Sequence, residues 1–119
     1  MIRVLALFLL CGPFAAAQQA ERPTVVSLDY CADQFVLGLA DREQILAVSH
    51  GADKPHSYLR ERADGIPQIR SATEDVIALN PDLVMAQWGA DARALAMYER
   101  FGIEVHQIGS AYVLSLIHI

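Results

Sequence analysis

Short runs of apolar, mostly β-branched residues recur along the chain and are separated by longer segments in which apolar and polar residues mix. Five such runs predict strands, at residues 24–28, 44–48, 66–69, 83–86 and 105–108. In the segments between them, apolar positions recur at helical spacing, and this predicts helices over 31–40, 55–62, 72–79 and 90–101. The first helix shows the spacing well, with its inward face predicted at Cys31, Phe35, Val36, Leu39 and Ala40.

Residues that begin and end helices stand where this pattern requires them. The Asp29 carboxylate can accept bonds from the free N–H groups of the first helix. Ser71 and Glu74 have the spacing of a capping box, and Pro55 suits a first helical turn. Asn80-Pro81 ends one helix because proline cannot continue it, and Gly102 is placed to end the last, with Ile103 as the accompanying apolar contact.

Alternation of strands and helices predicts an α/β fold with a Rossmann-like parallel sheet of four to five strands and helices on both faces. Ligands of such sheets bind in the crevice beyond the carboxyl ends of the strands. The segments that follow the strands are therefore the candidate site, and they are Asp29-Tyr30, Ser49-His50, Arg70-Ser71, Gln87-Trp88-Gly89 and Gly109-Ser110.

The first residues predict export. Arg3 precedes an apolar stretch that is too short to span a bilayer, and small residues at 15–17 form a cleavage site. We expect a signal peptide at 1–17 and a short linker at 18–23, which places the mature chain in the periplasm. Cleavage leaves Cys31 alone, so no internal disulfide can form, and we expect it to be a buried small hydrophobe.

Composition narrows the function further. The net charge is −5, with no basic cluster, which argues against nucleic acid as a partner. His50, His56 and His106 lack metal-ligand spacing, and no nucleotide-binding or nucleophile motif is present. We therefore expect no enzyme activity, no bound metal ion and no resident cofactor.

Four stretches resemble one protein family. They are residues 24–28, residues 45–49, the run from Ser71 through Glu74, Ile77-Ala-Leu79 and Pro81 to Val84, and Phe101-Gly102-Ile103-Glu-Val105. The chain resembles, over about residues 24–110, the periplasmic binding proteins that serve ABC importers of ferric siderophores, haem and vitamin B12. Glu-x-x-Ile-Ala-Leu-x-Pro-Asp-Leu-Val is the most specific part of the resemblance.

In that family two α/β lobes are joined by a long helix and hold the ligand between them. The resemblance implies that residues 24–113 are the N-terminal lobe of such a protein and that the chain is truncated. Residues 114–119 match the in-frame translation of a transposon end used in library preparation, and we expect them to be an adapter artefact rather than a natural apolar strand.

The resemblance also gives roles to residues. An aromatic residue near Trp88 would stack on a flat chelate, although the family aromatic aligns nearer Gln87. Tyr30, His50 and Arg70 are further candidates to contact the ligand, each with a purely structural or solvated alternative. Glu74 matches a glutamate that meets arginines of the membrane permease, unless the capping box occupies its carboxylate.

The predicted function is capture of a metal chelate (a ferric siderophore, haem or a corrinoid) by a monomer, and its delivery to an ABC permease in the inner membrane. Two alternatives remain open at this point. One is an exported small α/β enzyme whose catalytic residues lie in a missing half, and the other is a sensory domain of the same fold.

Overall fold

The computed structural model describes residues 21–87 and 91–109, which form five strands and three α-helices. In chain order they are β1 (Val25–Ser27), α1 (Tyr30–Leu39), β2 (Ile45–Ser49), β3 (Gln68–Ile69), α2 (Thr73–Leu79), β4 (Leu83–Ala86), α3 (Ala92–Arg100) and β5 (Glu104–Gln107). Two short 3-10 helices, Arg42–Gln44 and Arg60–Ala63, precede β2 and β3. All five predicted strands are present, within one or two residues of their predicted ends.

The strands form one sheet in the order β3-β2-β1-β4-β5, and every pairing is parallel. From β1 the chain moves outward to β2 and β3, and it then returns to the other side of β1 for β4 and β5. The direction of winding therefore reverses between β1 and β4. At such a switch point the connections leave on opposite faces of the sheet and open a crevice at the carboxyl ends of the strands.

Helices cover both faces of the sheet, which confirms the predicted α/β architecture. On one face, α1 and the segment before β3 bury a core of Val25, Val36, Leu37, Ile45, Val48, Ala52, Ala63 and Ile66. On the other face, α2 and α3 bury Val26, Ala47, Val76, Val84, Tyr98 and Ile103. Val25 and its neighbour Val26 belong to different cores because successive strand side chains point to opposite faces.

The inward face of α1 differs from the prediction. Phe35 and Leu39 are 45% and 83% exposed, and Cys31 is only half-buried. The helix instead turns Ala32, Asp33, Val36 and Leu37 toward the sheet. The physical reason is Asp33, a fully buried carboxylate that accepts two bonds from Ser49 and so fixes the rotation of the helix.

The predicted helix over 55–62 is wrong. This segment forms turns, followed by the 3-10 helix Arg60–Ala63. The Leu59 N–H donates to Gln34 Oε1 at 2.9 Å, so it is not available for a helical bond to the carbonyl four residues earlier. Gln34 also donates to Ser57 Oγ at 2.9 Å, which fastens the segment to α1.

The capping box at Ser71 and Glu74 is wrong as well. Helix α2 begins after Ala72, which provides no side-chain cap. The Ser71 hydroxyl donates instead to the Leu28 carbonyl at the end of β1, at 2.5 Å. A tertiary acceptor therefore takes the hydroxyl that the local pattern assigned to the helix.

The predicted helix ends are confirmed. Asn80 adopts a left-handed conformation (φ 49°) directly before Pro81 and ends α2. Gly102 (φ 70°) follows α3 in the double hydrogen-bond pattern of a Schellman motif, in which Ile103 N–H donates to Tyr98 O and Gly102 N–H to Glu99 O. Ile103 is buried in the core that α2 and α3 form against the sheet, as expected for the accompanying apolar contact.

Several predictions concern residues outside the described ranges. They are the signal peptide at 1–17, the first part of the linker at 18–23, Trp88 and the tail at 114–119. Within residues 21–87 and 91–109, no helix has the length and apolar character needed to cross a membrane.

Candidate functional site

The carboxyl ends of β1 and β4 are joined by one side chain. Asp29 lies two residues beyond β1 and caps α1, because its Oδ1 accepts from the Ala32 N–H at 2.8 Å. Its Oδ2 accepts from the Gln87 N–H, directly after β4, at 2.6 Å. The predicted cap is confirmed, and the carboxylate also fixes the chain at the switch point of the sheet.

A cavity of about 410 Å³ opens beside this carboxylate. Its walls come from the segments after β1 and β2, and its lining residues are Leu28, Asp29, Tyr30, Ser49, His50, Gly51, Lys54 and His56. The structure thus brings the predicted residues Tyr30 and His50 to one cavity at the predicted edge of the sheet. Two further side chains line the same cavity, the ammonium group of Lys54 and the imidazole of His56.

Two of these side chains make an aromatic pair. The rings of Tyr30 and His56 lie with their centroids 5.3 Å apart at an interplanar angle of 86°, in an edge-to-face arrangement. The pKa of Tyr30 is raised, chiefly by the neighbouring Cys31 thiol and to a smaller extent by burial and by the Asp29 carboxylate. At neutral pH the phenol is therefore protonated and can donate a hydrogen bond into the cavity.

The charge of Lys54 is partly balanced within its own loop. Lys54 Nζ lies 3.1 Å from Asp53 Oδ1, and both side chains are about half exposed. Hydrogen bonding from Gln68, and then from Lys54, lowers the pKa of Asp53, so this carboxylate is ionised at neutral pH. Such an exposed pair is weakly held, and the ammonium group remains available to an anionic ligand.

The loop that carries His50 rests on a buried polar network. Asp33 Oδ1 accepts from the Ser49 N–H at 3.0 Å, and Asp33 Oδ2 accepts from Ser49 Oγ at 2.6 Å. The Gly51 N–H donates to Ser49 Oγ at 3.2 Å. This network fixes the path of the chain as it leaves β2, and with it the backbone at His50.

The other predicted site residues lie apart from this cavity. Gln87 is half-buried at the end of β4 and contacts the cavity wall through its bond to Asp29. Arg70 is exposed after β3, at the outer edge of the sheet. Glu74 is exposed in the first turn of α2.

The sequence pattern does not predict Lys54 and His56 as site residues, because neither of them directly follows a strand. Both lie in the long connection between β2 and β3, five and seven residues beyond Ser49. Turns at Ala52, Lys54 and Ser57 fold this connection back over the site. The composition of this connection is the sequence signal for these turns, because Gly51, Asp53 and Pro55 favour turns over a helix.

The cavity presents several polar side chains that can donate hydrogen bonds. It offers a phenol, two imidazoles and an ammonium group beside an apolar wall. In the part of the chain that the structure describes, no group of three or more His, Cys, Asp or Glu side chains is arranged to hold a metal ion.

The architecture, a parallel sheet with helices on both faces, is similar to one part of several solved periplasmic binding proteins. The periplasmic heme-binding protein RhuT from Roseiflexus sp. RS-1 is similar with a TM-score of 0.53 and 25% identity, over 75% of this chain and 34% of that chain. The periplasmic heme-binding protein HutB of Vibrio cholerae is similar with a TM-score of 0.55 and 24% identity, over 72% of this chain and 33% of that chain.

The periplasmic heme-binding protein BhuT, solved in complex with two hemes, gives a TM-score of 0.55 and 19% identity, over 76% of this chain and 35% of that chain. The chain thus spans about a third of the length of these structures, in agreement with one lobe of a larger binding protein. No protein-family model and no curated protein sequence matches the chain.

Proposed function

We propose that this chain is the N-terminal lobe of a periplasmic solute-binding protein that captures a metal chelate and delivers it to an ABC permease. One observation carries the proposal. One cavity at the carboxyl edge of the sheet is lined by Tyr30, His50, Lys54 and His56. The fold around it is similar to about a third of the length of two periplasmic heme-binding proteins. No reaction is performed on the ligand in this function.

Haem is the chelate that these side chains suit best. Tyrosine and histidine are both residue types that ligate haem iron, and Tyr30, His50 and His56 line the same cavity. Lys54 can pair with a propionate group. A ferric siderophore or a corrinoid also fits an open, one-sided wall, so all three chelate classes belong in the test.

The test compares the 119-residue chain with a two-lobed protein in which a second lobe follows residue 113. Each is titrated calorimetrically with haemin, ferrichrome and cyanocobalamin. We expect the two-lobed protein to bind one of them at least about 100-fold more tightly, because one lobe supplies roughly half of the contacts that bury a ligand. Equally tight binding by the 119-residue chain would contradict the proposal of a two-lobed site.

Single substitutions locate the site. His56→Ala in the two-lobed protein is expected to weaken binding about tenfold, because a hydrogen bond or metal ligand to the enclosed chelate is lost. His106→Ala is the matched control, since His106 is exposed on the edge strand β5 and does not line the cavity. Trp88→Ala tests in the same titration whether the residues after Gln87 contact the ligand.

Glu74 is proposed to dock the permease. The capping box does not engage it, and its side chain is exposed in the first turn of α2. We expect Glu74→Ala to leave the calorimetric affinity and the unfolding midpoint unchanged, while uptake into vesicles that carry the permease falls several-fold, as for loss of a steering charge. Asp75→Ala, at the next exposed acidic position, is the control. An equal fall in uptake for both variants would point to net charge rather than to Glu74.

A further inference from the structure

The hydrogen bonds between β1 and β4 change character at the end of the strands. Ser27 is paired with Met85, and the Leu28 N–H donates to the Met85 carbonyl at 3.0 Å. In a regular parallel ladder the next bond would run from the Gln87 N–H to the Leu28 carbonyl. The Gln87 N–H donates instead to Asp29 Oδ2 at 2.6 Å.

The carbonyl that this exchange releases has another partner. Leu28 O accepts from Ser71 Oγ at 2.5 Å, and Ser71 lies at the start of the crossover from β3 to β4. The ends of β1, β3 and β4 are thus connected through two adjacent residues, Leu28 and Asp29. The Asp29 carboxylate makes this possible because it supplies the acceptor that the Gln87 N–H would otherwise find in the ladder.

Comparison with a second helix cap in the same chain shows that Asp29 does more than cap α1. Asp91 caps α3 with Oδ1, which accepts from the Ala94 N–H at 2.8 Å, the distance found for Asp29 and Ala32. Capping therefore needs one carboxylate oxygen. Asp29 uses its second oxygen for a tertiary bond across 58 residues of chain.

We propose that Asp29 is a positioning residue of the cleft, whose carboxylate holds Gln87 in register with Tyr30 and the cavity wall. Tyr30 is the next residue after Asp29, and Gln87 leads directly into Trp88. One side chain therefore sets the spacing between two segments of the candidate site. The effect on ligand binding rests on the proposed function, whereas the effect on the chain path does not.

The experiment separates capping from positioning. Asparagine and serine are both good N-cap residues, but each has only one acceptor oxygen in reach of the helix, and asparagine would turn an NH₂ group toward the Gln87 N–H. In the ¹⁵N-labelled 119-residue chain, Asp29→Asn and Asp29→Ser are expected to speed amide exchange at Gln87 about tenfold or more, with Ala32 changed by less than about threefold. Asp91→Asn is the matched control and should change neither amide.

Unchanged exchange at Gln87 in both variants would overturn the proposal, and so would parallel changes at Ala32 and Gln87, which would reduce Asp29 to a cap. The second arm uses haemin, ferrichrome and cyanocobalamin with the two-lobed protein. Asp29→Asn is expected to weaken binding about three- to tenfold through lost preorganisation, with Asp91→Asn unchanged. If none of the three probes binds, the proposed function fails, and the amide result still decides the role of Asp29.

Discussion

At the scale of single residues, the most consequential side chain is Asp33, a fully buried carboxylate on an otherwise apolar helix face. Its carboxylate accepts two hydrogen bonds from Ser49, from the N–H at 3.0 Å and from the hydroxyl at 2.6 Å. We expect Asp33→Ala to lower the free energy of unfolding by about 2–3 kcal/mol, because it leaves two buried donors without an acceptor. Asp33→Asn should lose less, since its amide can still accept one bond and donate another. Urea denaturation measures both, and a neutral Asp33→Ala variant would show that water replaces the carboxylate.

At the scale of elements, α1 shows how tertiary contacts choose the face of a helix. Leu37 is 3% exposed and Leu39 is 83% exposed, although the helical spacing predicts Leu39, and not Leu37, on the inward face. We expect Leu37→Ala to cost about 2–4 kcal/mol, because the deletion opens a cavity in the core. Leu39→Ala, the same chemical change two residues away, should stay within about 0.5 kcal/mol. Urea midpoints compare the two, and similar losses would mean that the helix is rotated from the described position.

At the scale of the whole molecule, the fold sets how stability responds to alkaline pH. Tyr98 is buried in the core that α2 and α3 form against the sheet, and this burial is the main cause of its raised pKa. Below the ordinary tyrosine pKa of about 10, the contribution of Tyr98 to the free energy of unfolding does not change with pH. Above it, only the unfolded chain releases the phenol proton, so the free energy of unfolding falls as the pH rises toward the higher folded-state pKa. We expect Tyr98→Phe to remove this fall, while Tyr58→Phe, at a position 89% exposed, leaves it in place. Thermal unfolding from pH 8 to 11 provides the measurement, and identical profiles for the two variants would refute the assignment.

The sequence by itself determined the order of the five strands and the edge of the sheet at which a candidate site is expected. Strand positions follow from short β-branched runs, and the ends of α2 and α3 follow from Asn80-Pro81 and Gly102, because these signals act through local backbone chemistry. The cap at Asp29 is local in the same way, since its oxygen reaches a donor three residues along the chain. The carboxyl edge as a site is a property of parallel sheets and needs no coordinates.

Only the tertiary structure decided the tasks that one side chain performs for distant parts of the chain. Ser71 has the local spacing of a cap, but it donates to Leu28, 43 residues away. Gln34 takes the Leu59 N–H and prevents a helix, and Asp29 takes the Gln87 N–H and replaces a ladder bond. His56 joins Tyr30 because turns fold the long connection back over β2. In each case a hydrogen-bonding or aromatic group has both a local and a distant partner available, and only the folded geometry determines which one it contacts.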